Sequence, residues 1–203
     1  MIKIGVLGST KGTDLQAVIN SIDKNELSAE IAVIISNKEK SYILKRGRNH
    51  NIPSIFISHK SKSREEFDRE ISAVLDNHGV ELILLIGFMR ILSAEFCQKW
   101  RDRLLNVHPS LLPKYAGGMD LNIHEEVLKN GDRETGCTIH FVTEDVDSGP
   151  ILIQKKCNVD DNETVKSLKT KVQALEGKAF VESIQLIQNN LYDKYSSIKP
   201  RPN

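Results

Sequence analysis

The 203-residue sequence predicts an α/β protein: an open, doubly wound, mostly parallel sheet with helices on both faces, of the Rossmann-like type. Two observations carry this reading. Short apolar runs recur at Ile2 to Leu7, Ile31 to Ile35, Ile55 to Ile57 and Leu82 to Ile86, and they read as buried strands. Between them lie segments of helical period, and strands alternating with helices imply βαβ units and a largely parallel sheet.

After the first run, Leu15, Val18, Ile19 and Ile22 fall on one helical face, and Thr13 with Gln16 fits a capping box at that helix's start. Ser63 is placed to cap a helix whose apolar face carries Phe67, Ile71, Val74 and Leu75, ending near Gly79. The second half is more varied. A short strand at Leu104 to Val107 leads into a loop bracketed by Pro109 and Pro113, and a helix from His124 to Lys129 stops at Asn130-Gly131. Two further β-like stretches follow, Cys137 to Val142 and Ile151 to Lys155. A long helix then runs from about Thr164 to about Gln188, and the polar tail of residues 196–203 reads as loose.

Composition narrows the function classes. The length suits one domain. Lysines and arginines number 28 against 27 acids, so no global field draws the chain to nucleic acid or an anionic membrane, and small-molecule partners are expected. Cys97, Cys137 and Cys157 are widely spaced, without a CxxC pair or histidines at metal-ligand spacing. They read as reduced thiols, with no metal expected. The N-terminus lacks a signal-peptide core and no segment has membrane-helix length, so a cytoplasmic protein is expected, as monomer or homodimer.

In such a sheet, ligands bind beyond the carboxyl ends of the strands. Residues 8–14, 87–92 and 106–115 follow predicted strands and should share one crevice. The first, GSTKGTD, joins a glycine turn to a helix N-terminus, where free N–H groups and the helix dipole suit a phosphate. It matches neither the dinucleotide nor the P-loop pattern, so an ordinary glycine turn and a phosphate site both fit.

The stretch LLNVHPSLLPKY, residues 104–115, sets Asn106 and His108 among apolar neighbours. Strand alternation sends both to one face and Leu105 and Val107 to the other. An amide donor beside an imidazole suits acyl-type transfer: the amide donates to a carbonyl oxygen that becomes anionic, and the imidazole moves a proton near neutral pH. A satisfied structural Asn beside a core His is the plainer alternative. Downstream, EDVDSGP (144–150) offers Glu144, Asp145 and Asp147, any of which, beside His108, would raise the imidazole pKa and orient the ring. Spacing does not choose among them. No serine or cysteine nucleophile stands out, which favours direct transfer to an incoming amine. His50, His59, His78, His124 and His140 read as surface or packing residues, with His140 the one to watch.

Taken together, GSTKGTDLQA, GFMRILS, LLNVHPSLLPKY, TGCTIHFVTEDVDSGPIL and VQALE resemble the phosphoribosylglycinamide formyltransferase family, in family order from residue 3 to about 185. The resemblance implies formyl transfer from 10-formyltetrahydrofolate to the amine of N1-(5-phosphoribosyl)glycinamide in de novo purine (IMP) biosynthesis. It implies a catalytic trio of Asn106, His108 and Asp147. It also implies a nucleotide site of Gly12, Thr13, Asp14, Gln173 and Glu176, and a folate site of Arg64, Met89, Arg90, Ile91, Leu92, Asn106, Thr143, Glu144, Asp145, Val146 and Asp147. A single domain follows, with a phosphate-binding half of about 1–100 and a folate and catalytic half of about 101–190. The chain departs from the family pattern in the charge and glycine placement of its first loop, where Asp14 is acidic. After Tyr115 the sequence AGGMDLNIHEEV is about three residues longer than the pattern.

Rivals share the trio. Formyltetrahydrofolate hydrolases and other amine formyltransferases on the same fold are the alternatives; with Ile2 opening the first strand at once and the chain stopping at 203, the added domains of methionyl-tRNA formyltransferases and of the hydrolases are not expected here. A non-catalytic phosphate-binding or nucleotide-binding module would use only the GSTKGTD turn.

Overall fold

The computed structural model of the chain describes residues 1–118 and 120–189, with residues 120–122 described in backbone alone; the tail expected to be loose lies outside the described residues. Strands β1 (Ile2–Gly8), β2 (Ala29–Ser36), β3 (Ser54–Phe56), β4 (Leu82–Ile86), β5 (Leu104–His108), β6 (Glu134–Phe141) and β7 (Ile151–Asn158) form one seven-stranded sheet in the order β3-β2-β1-β4-β5-β6-β7. The first five are parallel and β6 and β7 run antiparallel at one edge. The doubly wound, mostly parallel fold expected from the sequence is the fold observed.

Helices α1 (Thr13–Asp23), α2 (Tyr42–Asn49), α3 (Arg64–Asn77), α4 (Ala94–Lys99), α5 (Asp120–Lys129) and α6 (Val165–Gln188) cover both faces. The uniform burial of β4 follows from this two-sided cover: Leu82, Leu84 and Ile86 join the core shared with α1, α5 and α6, while Ile83 and Leu85 join the core under α3 and α4. Adjacent Leu104 and Leu105 likewise enter opposite cores.

Cap chemistry sets the helix starts. Ser63 caps α3 as the sequence predicts, accepting from the Glu66 N–H, and the Glu66 carboxylate accepts in return from the Ser63 N–H to complete a reciprocal box. Thr164 and Ser167 make the same arrangement for α6. The box expected at Thr13 and Gln16 does not form. Gly12 holds the cap position at φ 64°, in the left-handed region that glycine enters without a Cβ penalty. The Gln16 amide faces outward instead, bonded to Asn20 and Arg46 and 3.3 Å from His50. Helices α2 and α4, of eight and six residues, are additions to the sequence reading.

The strand order reverses between β1 and β4, the topological switch point at which such sheets bind ligands. The loops after these two strands are laced together there. The Ser9 N–H donates to the Gly87 carbonyl at 3.1 Å, and the Met89 N–H donates to Ser9 Oγ at 3.2 Å.

Candidate active site

Beside this point the carboxyl ends of β4 and β5, the end of β6 and the 143–147 turn enclose a cavity of about 320 Å³. Asn106, His108, Asp147, Met89, Arg90, Ile91, Leu92, Thr143, Glu144, Asp145 and Val146 all line it, eleven residues singled out in the sequence. The first loop packs against the second but supplies no lining residue, so the expected shared crevice is built from two of the three loops. Met89, Ile91 and Val146 are exposed large apolar side chains at its mouth. Such a rim suits a flat heteroaromatic ring better than a hydrated polar ligand.

The polar centre is held by strand register. Asn106 on β5 pairs across the ladder with His140 on β6, so both side chains stand on the cavity side. His140 Nδ1 lies 2.9 Å from the Phe141 carbonyl, which only accepts, so Nδ1 carries the proton. With that proton on Nδ1, Nε2 is the nitrogen that accepts from Asn106 Nδ2 at 3.2 Å. That contact orients the amide and leaves its second N–H for a ligand oxygen. His140, read from the sequence as a packing residue, is therefore part of the site; its pairing opposite Asn106 is a register fact that a linear sequence does not display.

Asp147 is the acid of the 144–150 turn that reaches the imidazoles. Its φ is 54°, a left-handed conformation that Asp tolerates better than most residues. Gly149 lets the turn fold back, because a Cβ there would sit 1.8 Å from the Phe141 carbonyl oxygen. The result puts Asp147 Oδ2 3.3 Å from His108 Nε2 and Oδ1 3.5 Å from His140 Nε2, with the Gly117 N–H donating to Oδ2 at 2.8 Å. Glu144 and Asp145 line the cavity but are exposed.

Burial and charge oppose each other here. Burial pushes the His108 pKa down, and although the Asp147 carboxylate pulls it up, the balance lies below the ordinary imidazole value. The sequence reading, in which the acid raises that pKa, has the direction of one contribution right and the net direction wrong, because His108 is only 3% exposed. For Asp147, burial pushes upward, but the neighbouring His140 and His108 rings and the hydrogen bond from the Gly117 N–H together hold its carboxyl below the usual range. The resting site thus pairs a neutral imidazole with a carboxylate. Cys97, also lining the cavity, has a thiol pushed up to about 11 by burial and is unsuited to act as a nucleophile.

The other expected residues lie apart from this cavity. Gly12, Thr13 and Asp14 form the start of α1, and α6 packs across it: a Cβ on Gly177 would touch Ala17 and come within 4.0 Å of the Asp14 Cα. This puts half-buried Gln173 and buried Glu176, both on α6, beside the same helix start. Both Glu176 and Asp14 contribute to raising the Cys137 thiol pKa, after the larger effect of burial. Asp14 is itself buried rather than presented to solvent. Arg64, the first residue of α3, does not line the cavity; its charge acts on Asp68, whose own carboxyl is raised chiefly by burial.

Comparison with known proteins agrees with this geometry. A formyl transferase domain model matches residues 2–184. The chain is 39% identical over 176 residues to the phosphoribosylglycinamide formyltransferase of Escherichia coli, covering 86% of this chain and 82% of the relative. It is 45% identical over 187 residues to the trifunctional purine biosynthetic protein adenosine-3 of Gallus gallus, covering 92% of this chain but only 18% of that protein's length. Among solved structures, glycinamide ribonucleotide transformylase 1 from Symbiobacterium toebii superposes with a TM-score of 0.89 at 35% identity, covering 94% of this chain and 89% of the other. With the domain model matched across both halves of the sheet and a bacterial relative aligned over most of both chains, the chain belongs to the formyl transferase family.

Proposed function

We propose that this protein moves the formyl group of 10-formyltetrahydrofolate to the amine of N1-(5-phosphoribosyl)glycinamide in de novo purine biosynthesis. The observation that carries the proposal is the convergence of Asn106, His108 and Asp147 on one wall of a cavity with an apolar mouth. The folate's ring system would lie against residues 89–92 and 143–147, with Arg64 toward its carboxylates. The nucleotide would be held by Gly12, Thr13 and Asp14, whose N–H groups open α1, and by Gln173 and Glu176 on the helix beside them. The phosphate would meet the backbone of that turn rather than the buried Asp14 carboxylate.

In the proposed reaction the amine nitrogen bonds to the formyl carbon and the carbonyl electrons move to oxygen. The free N–H of Asn106 donates to that oxygen. His108, neutral at rest, takes the proton that the attacking amine loses, and Asp147 stabilises the imidazolium. The tetrahedral species then collapses: the bond from carbon to the folate nitrogen breaks, and His108 returns the proton to that nitrogen. Atoms and charges balance without a further reactant. Small molecules are the only partners this requires, and a cytoplasmic monomer or homodimer suffices for it.

Losing an oxyanion donor costs on the order of a hundred- to a thousandfold in turnover, and losing a general acid–base roughly a hundred- to ten-thousandfold. Asn106→Ala and His108→Ala should each fall by that much while circular dichroism shows the fold retained. Near-normal turnover in either variant would remove that residue from the assignment.

A further inference from the structure

Ser110 lies two residues past His108, in the Pro-bracketed loop, and is fully buried. Its Oγ stands 3.0 Å from His108 Nδ1 and donates to the Lys114 carbonyl. A serine hydroxyl has one proton to give. With that proton directed at Lys114, Ser110 Oγ faces the ring as an acceptor, and only a protonated Nδ1 satisfies it. We propose that Ser110 is a positioning residue that fixes neutral His108 as its Nδ1–H tautomer, leaving Nε2 bare toward Asp147 and the cavity.

The loop around this contact is built to keep it. Thr138 Oγ1 donates to the Ser110 carbonyl at 2.7 Å and accepts from the Leu112 N–H at 3.0 Å. Gln154 Nε2 donates to the Leu112 carbonyl at 2.9 Å, tying the loop to β7. At its far end Lys114 pairs with Asp132 and the Tyr115 hydroxyl donates to the same carboxylate, which holds the Lys114 carbonyl where Ser110 meets it.

The arrangement answers a conflict inside the site. Asp147, 3.3 Å from His108 Nε2, would by itself draw the ring proton to that nitrogen. A proton there would occupy the one nitrogen able to receive another from an incoming amine. The Gly117 N–H already satisfies Asp147 Oδ2 in part, and Ser110 tips the remaining preference toward Nδ1. His140 follows the same rule with a different acceptor, the Phe141 carbonyl. Both imidazoles therefore present Nε2 to one carboxylate with Nδ1 pinned behind. The assignment of Nε2 as the proton acceptor rests on the formyl-transfer reading; the tautomer itself does not.

The test reads the ring nitrogens directly. In the full chain labelled with ¹⁵N, without substrates and above the pH at which His108 titrates, long-range ¹H–¹⁵N spectra should show His108 Nδ1 protonated and Nε2 unprotonated, the signals being assigned by their loss in His108→Gln. Ser110→Ala should move population toward the Nε2–H form and lower kcat roughly tenfold, the bias of about one neutral hydrogen bond, with KM for both substrates unchanged. Ser110→Thr, which keeps the hydroxyl, should keep the wild-type spectrum. A wild-type ring protonated on Nε2 overturns the proposal whether or not the variants fold, and so does a Ser110→Ala spectrum identical to wild type. Absence of formyl transfer in the wild type would instead sink the functional reading and leave the tautomer assignment standing.

Discussion

Asp147→Asn isolates the carboxylate's charge with the least disturbance to the turn. Asn enters the left-handed region as readily as Asp, so φ 54° at this position is kept, and its side-chain oxygen can still accept from the Gly117 N–H. What disappears is the negative charge 3.3 Å from His108 Nε2. Two unit charges at about 4 Å in a partly buried setting interact by roughly 4 kcal/mol. The amide oxygen recovers about 1 kcal/mol as a neutral acceptor. The imidazolium formed during transfer should therefore lose about 3 kcal/mol, which is on the order of a hundredfold in kcat. Steady-state formyl transfer measured alongside thermal melting reads both consequences. A natively folded Asp147→Asn protein within tenfold of wild-type kcat would refute the reasoning that this charge stabilises the protonated His108.

Two other outcomes test neighbouring claims. Gly12→Ala places a Cβ 2.5 Å from Ile43 Cγ1 at a left-handed position, so stability should fall by about 1–2 kcal/mol; in the fraction that stays folded, titration should show weaker binding of the phosphoribosyl nucleotide and nearly unchanged folate affinity, and equal losses of both would count against a phosphate site there. For pH, the folded His108 pKa lies below its reference value of 6.5, so below that pH the unfolded chain binds a proton that the native chain refuses. Stability should decline as pH falls from about 6.5 toward the folded value, and denaturant midpoints should show a shallower decline in His108→Asn; identical slopes would mean that His108 is not held neutral by the fold.

Much of this architecture was legible because the residues that specify it act locally. The apolar runs of β1, β2 and β4 are buried from both sides, and a strand buried from both sides looks the same in any neighbour's company. Ser63 and Thr164 cap their helices through contacts three residues away, well inside a motif's reach. Thr13 misled because the competing feature, the left-handed Gly12, depends on how the loop meets Ile43, whose side chain a Cβ at Gly12 would strike. The candidate site divides in the same way. Asn106 and His108 share a strand face, which period alone shows. The choice of Asp147 over Glu144 and Asp145 came from resemblance, and its physical basis, a positive φ and the backward fold at Gly149, exists only in three dimensions. His140 was visible as a residue but not as a partner, because antiparallel register with Asn106 depends on where β6 begins. The sign of the His108 shift was missed for a related reason: charge neighbours can be guessed from sequence, whereas the depth of burial that outweighs them cannot.

The most direct measurement is formyl transfer from 10-formyltetrahydrofolate by the purified chain, with N1-(5-phosphoribosyl)glycinamide present and then absent. Rapid loss of the formyl group with matching appearance of the formylated nucleotide is expected, with only background turnover when the nucleotide is withheld. Formyl loss at the same rate without the nucleotide, or nucleotide binding with no transfer, would contradict it.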